Sequence, residues 1–211
     1  MHLEGSCHCG AVRFSLDSAH PYPYQRCYCS ICRKTQGGGG YAINLGGDAT
    51  TLQVTGQEAI SIYHARMPST EGGYEASSAE RHFCKRCGSA LWLFSPQWPE
   101  LVHPFASAID TELPVPPQHT HLMLGSKASW VEVQGQPGDL RFTDYPQESI
   151  AQWHQLPSGI SGLTLSADHP RVRHCRGLTP CQRRNAREKA LVSEYPSSPA
   201  SSVTELTPSR R

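Results

Sequence analysis

Long apolar runs are missing from this chain, and so is an excess of charge of either sign. Hydrophobic residues fill 37% of the 211 positions and aromatic residues 8%, below the apolar share of an ordinary globular domain even when glycine is added. Part of the chain therefore lacks a core. No segment nears the roughly 20 apolar residues that a membrane-spanning helix requires. Met1-His2-Leu3-Glu4-Gly5 carries an acid where a secretory leader needs an apolar stretch. The net charge of +1 gives no electrostatic footprint for nucleic acid or an anionic membrane. Internal repeats are absent as well, which excludes solenoid architectures. The expectation is a cytoplasmic protein with no membrane partner and no nucleic-acid partner.

What the chain does have is glycine (18), proline (17) and cysteine (9). The first two favour short strands joined by turns over long helices. The cysteines are the informative part. In a reducing compartment, thiols in this number favour metal binding or redox chemistry over structural disulfides. An odd total also argues against a fully paired framework.

Seven of the nine fall into three motifs: Cys7-x-Cys9, Cys27-x-Cys29-x-x-Cys32 and Cys84-x-x-Cys87. Cysteines one residue apart rarely bridge each other. A thioredoxin-like redox motif would need alternating strands and helices around it, and that pattern is absent. Thiolate-rich ligation selects zinc or iron–sulfur clusters, and none of these spacings is that of a ferredoxin. Zinc takes four ligands, so seven thiols divide as four plus three. The pairs Cys7/Cys9 and Cys84/Cys87 can close one saturated, structural site. Cys27, Cys29 and Cys32 then hold a second zinc with its fourth position open, the arrangement of catalytic zinc. A soft thiolate from a small molecule would suit that position. The alternative is that His8, His64 or His82 completes a second inert site.

The rest of the chain reads as mainly β. Val12, Phe14 and Leu16 alternate with Arg13 and Ser15, the period-two signature of a half-buried strand. Further strands are expected at 41–45, 52–55, 60–63, 81–83, 90–94, 101–109 and 130–133, with a short helix at 147–155. Residues 68–79, rich in glycine and serine, read as a surface loop. Arg33 and Lys34 beside the central triplet are candidates for attracting a substrate carboxylate. His119 and His121 are expected to be ordinary. The expected organisation is a zinc domain over 1–156 and a disordered, low-complexity tail over 157–211, with one short helix near 185–192 and no role for Cys175 or Cys181.

Three stretches carry a resemblance. Gly5-Ser6-Cys7-His8-Cys9-Gly10-Ala11-Val12, Cys27-x-Cys29-x-x-Cys32-Arg33-Lys34 and Phe83-Cys84-x-x-Cys87-Gly88-Ser89 resemble the glutathione-dependent formaldehyde-activating enzyme family, which includes centromere-protein-V-like proteins. The resemblance spans residues 2–155. It implies a zinc-bound "β-tent" of small antiparallel sheets, with two zinc ions per chain. Cys7, Cys9, Cys84 and Cys87 match the structural ligands; Cys27, Cys29 and Cys32 match the catalytic ones. The implied activity is that of a carbon–sulfur lyase acting on a glutathione adduct such as S-hydroxymethylglutathione. The competing expectation is a non-catalytic, zinc-stabilised binding module for a protein or nucleic-acid partner.

Overall fold

The computed structural model describes residues 1–36, 38–69 and 72–155 of the 211. The expected domain boundary at 156/157, the short helix near 185–192 and both Cys175 and Cys181 lie outside the described residues. In chain order the strands are β1 (His2–Ser6), β2 (Arg13–Asp17), β3 (Gln25–Cys27), β4 (Ala42–Ile43), β5 (Gly47–Asp48) and β6 (Gln53–Thr55). There follow β7 (Ile60–Pro68), β8 (Tyr74–Cys84), β9 (Ala90–Phe94), β10 (Leu101–Pro104), β11 (Thr120–Leu122) and β12 (Leu140–Arg141). Two short helices, α1 (Ser30–Gln36) and α2 (Ile150–His154), complete the set. No helix among the described residues is long and apolar enough to cross a membrane.

The strands form three small sheets, in the orders β1-β2-β6, β5-β10-β9-β8-β7 and β12-β11-β3-β4. The chain is mainly β, as its composition indicates. The first two sheets are antiparallel throughout. In the third, β11 runs parallel to both β3 and β12, pairings between distant segments that no local pattern announces. Alternation in β1 and β2 turns Leu3 against Leu16, both fully buried. Phe14 meets Trp92 of the second sheet edge-on, with centroids 5.1 Å apart. These side chains, with Val12, Leu45, Leu91 and Val102, make the main core. Cys7 and Cys84 belong to that same core, so one thiol cluster sits where the first two sheets meet.

Several local expectations are corrected. The surface loop expected at 68–79 is shorter than that: β7 continues to Pro68 and β8 begins at Tyr74. The turn is closed by Ser69 N–H to Gly73 O at 3.1 Å. Polar residues form a strand here because the hairpin satisfies their backbone groups while much of β8 stays exposed. The strand expected at 101–109 stops at Pro104, which has no N–H to offer a ladder. The strand expected at 130–133 does not form; a turn at Trp130 leads into irregular backbone. Val131 is buried, Trp130 is 66% exposed, and Lys127 Nζ binds the Val131 carbonyl at 2.7 Å. The helix expected at 147–155 is the shorter α2. Its start is fixed by a capping box in which the Ser149 hydroxyl accepts from Gln152 N–H and the Gln152 side chain accepts from Ser149 N–H.

Candidate metal centre

The first cluster joins two knuckles. Cys7 and Cys9 leave β1, Cys84 ends β8, and Cys87 follows in the turn before β9. Gly10 and Gly88 hold φ of 71° and 76°, conformations that a side chain disfavours and each knuckle needs to turn back. Backbone bonds close both turns: Gly10 N–H to Cys7 O at 2.9 Å and Gly88 N–H to Cys84 O at 2.8 Å. Ser89 ties the knuckles together, its hydroxyl accepting from His8 N–H at 3.1 Å. All four sulfurs lie within 4.8 Å of one another, with Cys7–Cys9 at 3.5 Å and Cys9–Cys84 at 3.8 Å. A tetrahedral ion with metal–sulfur bonds of about 2.3 Å sets its sulfurs about 3.8 Å apart, whereas a disulfide needs about 2.05 Å. The donor set fits one ion. Hydrogen bonds from the Ser89 hydroxyl and backbone, and from the Cys9 backbone, bring the Cys87 thiol down to about 5. Such lowering suits a ligand that must bind as thiolate.

The second cluster is the central triplet. Cys27 ends β3, Cys29 follows, and Cys32 lies in α1. All three are nearly fully buried and, with Leu122 and Met123, form a second small core against which Ile31 and Tyr145 pack. Their sulfurs lie within 4.8 Å of one another. Hydrogen bonds from Cys27 and then Cys32 pull the Cys29 thiol down to about 3, while the same exchange raises Cys27 well above the ordinary range. Among the described residues no histidine, carboxylate or fourth cysteine joins this group. The three histidines considered as a completing ligand are engaged elsewhere. His8 is exposed beside the first cluster. His64 Nδ1–H donates to Ser77 O at 3.0 Å. His82 pairs with Glu80 at 3.1 Å and stacks on Trp92.

Three supports of the triplet escape a reading of motifs. Arg81, on β8, places Nη2 3.8 Å from Cys32 Sγ, so the strand that ends in Cys84 also delivers a positive charge to the second cluster. Arg81 Nη1 is buried without a hydrogen-bond partner. Tyr145 packs on the cluster with its hydroxyl buried and facing the Cys27 thiol. Burial and the neighbouring thiols push its pKa far up, so it remains a neutral donor.

The third support is a buried chain through Tyr28, the residue between Cys27 and Cys29. Tyr28 OH lies 2.8 Å from His121 Nδ1, and His121 Nε2 lies 3.3 Å from Asp139 Oδ2. Burial raises Asp139, but the N–H groups of His119 and Gln136 and the His121 ring outweigh it and bring the carboxyl to about 2. Asp139 is therefore an acceptor. It accepts a hydrogen bond from Nε2–H of His121, which burial keeps neutral, and leaves Nδ1 to accept from Tyr28. His119 and His121, expected to be ordinary, both contact Asp139 (3.5 Å and 3.3 Å). Spacing gives no signal for this chain, because Asp139 lies just before β12 and Tyr28 just after β3.

The comparisons with known proteins bear on the same residues. A family model described as glutathione-dependent formaldehyde-activating enzyme matches residues 2–125, a range that holds all seven clustered cysteines. A Halomonas elongata protein named for glutathione-dependent formaldehyde activation is 64% identical over 154 residues, which is 73% of this chain and 95% of that protein. A crystal structure of a Rhodobacter sphaeroides protein aligns with a TM-score of 0.41 at 26% identity, covering 53% of this chain and 91% of that one.

Proposed function

The chain belongs to the glutathione-dependent formaldehyde-activating enzyme family, and from that premise we propose that it is a zinc-dependent carbon–sulfur lyase acting on S-hydroxymethylglutathione. The single observation that carries the reading is the buried triplet Cys27/Cys29/Cys32, three thiols converged with no fourth ligand beside them among the described residues. Zinc is the metal that an all-thiolate tetrahedral donor set favours outside ferredoxin spacings. In this reading Cys7, Cys9, Cys84 and Cys87 hold a structural ion, and the triplet holds the second. Seven clustered cysteines without a disulfide among them support, in this reading, a reducing compartment such as the cytoplasm.

Zinc bound at the triplet would supply a position that favours the thiolate form of a small-molecule thiol. In the synthetic direction the thiol gives up its proton to solvent, and its sulfur attacks the carbonyl carbon of formaldehyde. A carbon–sulfur bond forms, the carbonyl π bond breaks toward oxygen, and that oxygen takes a proton from solvent to give the hydroxymethyl group. The lyase direction reverses each change. This chain's residues prepare the ground. Tyr145 offers a buried O–H beside the thiols to the oxygen on which charge develops. Arg81 offsets the excess negative charge of three thiolates. The Asp139–His121–Tyr28 chain fixes the backbone between Cys27 and Cys29.

The test is the zinc-loaded protein with formaldehyde and glutathione, compared with Cys29→Ser and corrected for the uncatalysed addition. Enzyme-dependent turnover that Cys29→Ser abolishes supports the reading. Equal rates with the variant would leave the non-catalytic binding module as the better account.

A further inference from the structure

Among the described residues, one sheet edge is both long and open. β4, β5 and β12 are two residues each and β6 is three, too short to template a partner strand. β1 is covered. Its Glu4 carbonyl accepts from Asp110 N–H at 2.8 Å and Thr111 N–H at 3.3 Å, and Glu4 N–H donates to the Thr111 hydroxyl at 2.8 Å. β7, by contrast, runs nine residues and lies outermost in its sheet, with β8 as its partner strand. Residues 60–64 of β7 contain no lysine, arginine, carboxylate or proline, the residues that ordinarily guard an edge.

The direction of the β7 backbone groups follows from its start. Lys85 N–H donates to Ala59 O at 2.8 Å, and Ile60 faces Cys84 in register. Ala59 and Lys85 therefore occupy a hydrogen-bonded position of the antiparallel ladder. Alternation turns the backbone groups of Ser61 and Tyr63 toward β8, and those of Ile60, Ile62 and His64 outward. Ile60 N–H is taken by Gln57 O. The Ile60 carbonyl and both backbone groups of Ile62 and His64 have no protein partner among the described residues. The regular ladder ends at His64, where the register with β8 shifts. What remains is a short regular edge centred on Ile62, which is 48% exposed beside a 44% exposed Tyr63.

We propose that this edge pairs with the same edge of a second copy of the chain, antiparallel about a twofold axis at Ile62. An isologous contact must be its own complement, and this one is. Ile62 exchanges both backbone hydrogen bonds with the partner's Ile62, and each His64 N–H reaches the partner's Ile60 carbonyl. The Ile60–Gln57 bond stays intact. On one face the two exposed Ile62 side chains cover each other and Ile60 lies opposite His64; on the other face Tyr63 lies opposite Ser61. No charged side chain faces another across the axis. Moving the axis to Ile60 would run the pairing into the 3-10 turn at Gln57–Ala59, and moving it to His64 would run it into the register shift. The pairing joins the two large sheets into one, with β8, the strand that carries Arg81 and Cys84, next to the seam.

The experiment uses the full, zinc-loaded chain in sedimentation equilibrium from about 1 to 200 µM, since an interface this small belongs with the weak, transient ones. The mass should rise from one chain toward two across that range. Ile62→Lys and Ile62→Glu each set like charges across the axis and remove the apolar contact, and each should weaken association at least about tenfold. Circular dichroism should show both variants folded, because the side chain is exposed. An equimolar mixture of the two should associate again, with opposite charges now facing. Tyr74→Ser, at an exposed position of β8 away from the edge, should associate as wild type does. NMR amide exchange should slow with concentration at Ile62 and His64 and stay constant at Ser61 and Tyr63, whose N–H groups already face β8. A chain that stays monomeric throughout, or a dimer that survives both Ile62 variants or is lost in Tyr74→Ser, would overturn the assignment. Two monomeric variants that fail to associate when mixed would overturn the twofold register.

Discussion

Replacing Asp139 by asparagine should cost about 3–5 kcal/mol of folding stability at neutral pH. Asp139 Oδ1 accepts from His119 N–H at 2.8 Å, and Oδ2 accepts from Gln136 N–H at 2.9 Å and faces His121 Nε2 at 3.3 Å. The side chain is 2% exposed, so solvent screens little of this. Its folded pKa of about 2, against an ordinary 3.8, corresponds to about 2 kcal/mol in favour of the folded carboxylate. An asparagine amide cannot accept at both ends. One orientation faces its NH2 against His119, the other against Gln136 and His121, which adds about 1–3 kcal/mol for unsatisfied donors. The pH dependence has a definite sign. The folded pKa is depressed, so Asp139's contribution is complete above about pH 4 and is lost as pH falls through about 2. Urea titrations followed by tryptophan fluorescence, in wild type and Asp139→Asn, would measure both quantities. The wild-type-minus-variant difference should be flat near pH 7 and shrink below pH 4. Zinc should leave the triplet more readily in the variant, because Tyr28 loses its anchor, while the four-thiol site keeps its ion. A difference under about 0.5 kcal/mol at pH 7, or one that does not shrink in acid, would refute the reasoning.

Other perturbations separate the roles of neighbouring groups. Tyr145→Phe removes a buried hydroxyl that faces the Cys27 thiol and no other acceptor among the described residues, so stability should not fall by more than about 0.5 kcal/mol and rises if that contact is weak, while turnover falls about 10- to 100-fold; thermal unfolding and kinetics on one preparation check the split. Arg81→Met should leave the hairpin folded, by circular dichroism, and speed chelator-driven loss of one zinc per chain, because the charge beside Cys32 is gone. Cys84→Ser strikes a fully buried position in the main core and should unfold the domain at 37 °C, whereas Cys29→Ser should retain the fold with one zinc fewer; gel filtration and elemental analysis distinguish the two outcomes.

The parts of this molecule that are legible from sequence are those written in local pattern. Cys7-x-Cys9-Gly and Cys84-x-x-Cys87-Gly announce their knuckles because the turn and both ligands lie within a few residues. The alternation of Val12, Phe14 and Leu16 announces a buried strand for the same reason. What stays hidden depends on segments far apart in the chain. Asp139 meets Tyr28 through His121 only because β11 runs parallel to both β3 and β12, and parallel pairing of short strands leaves no hairpin signature. The part of the β7–β8 hairpin within 68–79 reads as a loop because its residues are polar; pairing of backbone groups, not burial of side chains, makes β8 a strand there. Cys32 turned out to sit in a helix, α1, whose seven residues are too few for a sequence period to show.

The central claim is that the Cys27/Cys29/Cys32 site holds a zinc ion one protein ligand short and takes a thiol there. Zinc X-ray absorption on metal-loaded protein, before and after adding glutathione, tests it most directly. The account predicts two zinc ions per chain, and one additional sulfur per two zinc ions when glutathione is added, lost in Cys29→Ser. A single zinc per chain, or two whose sulfur coordination is unchanged by glutathione, would contradict it.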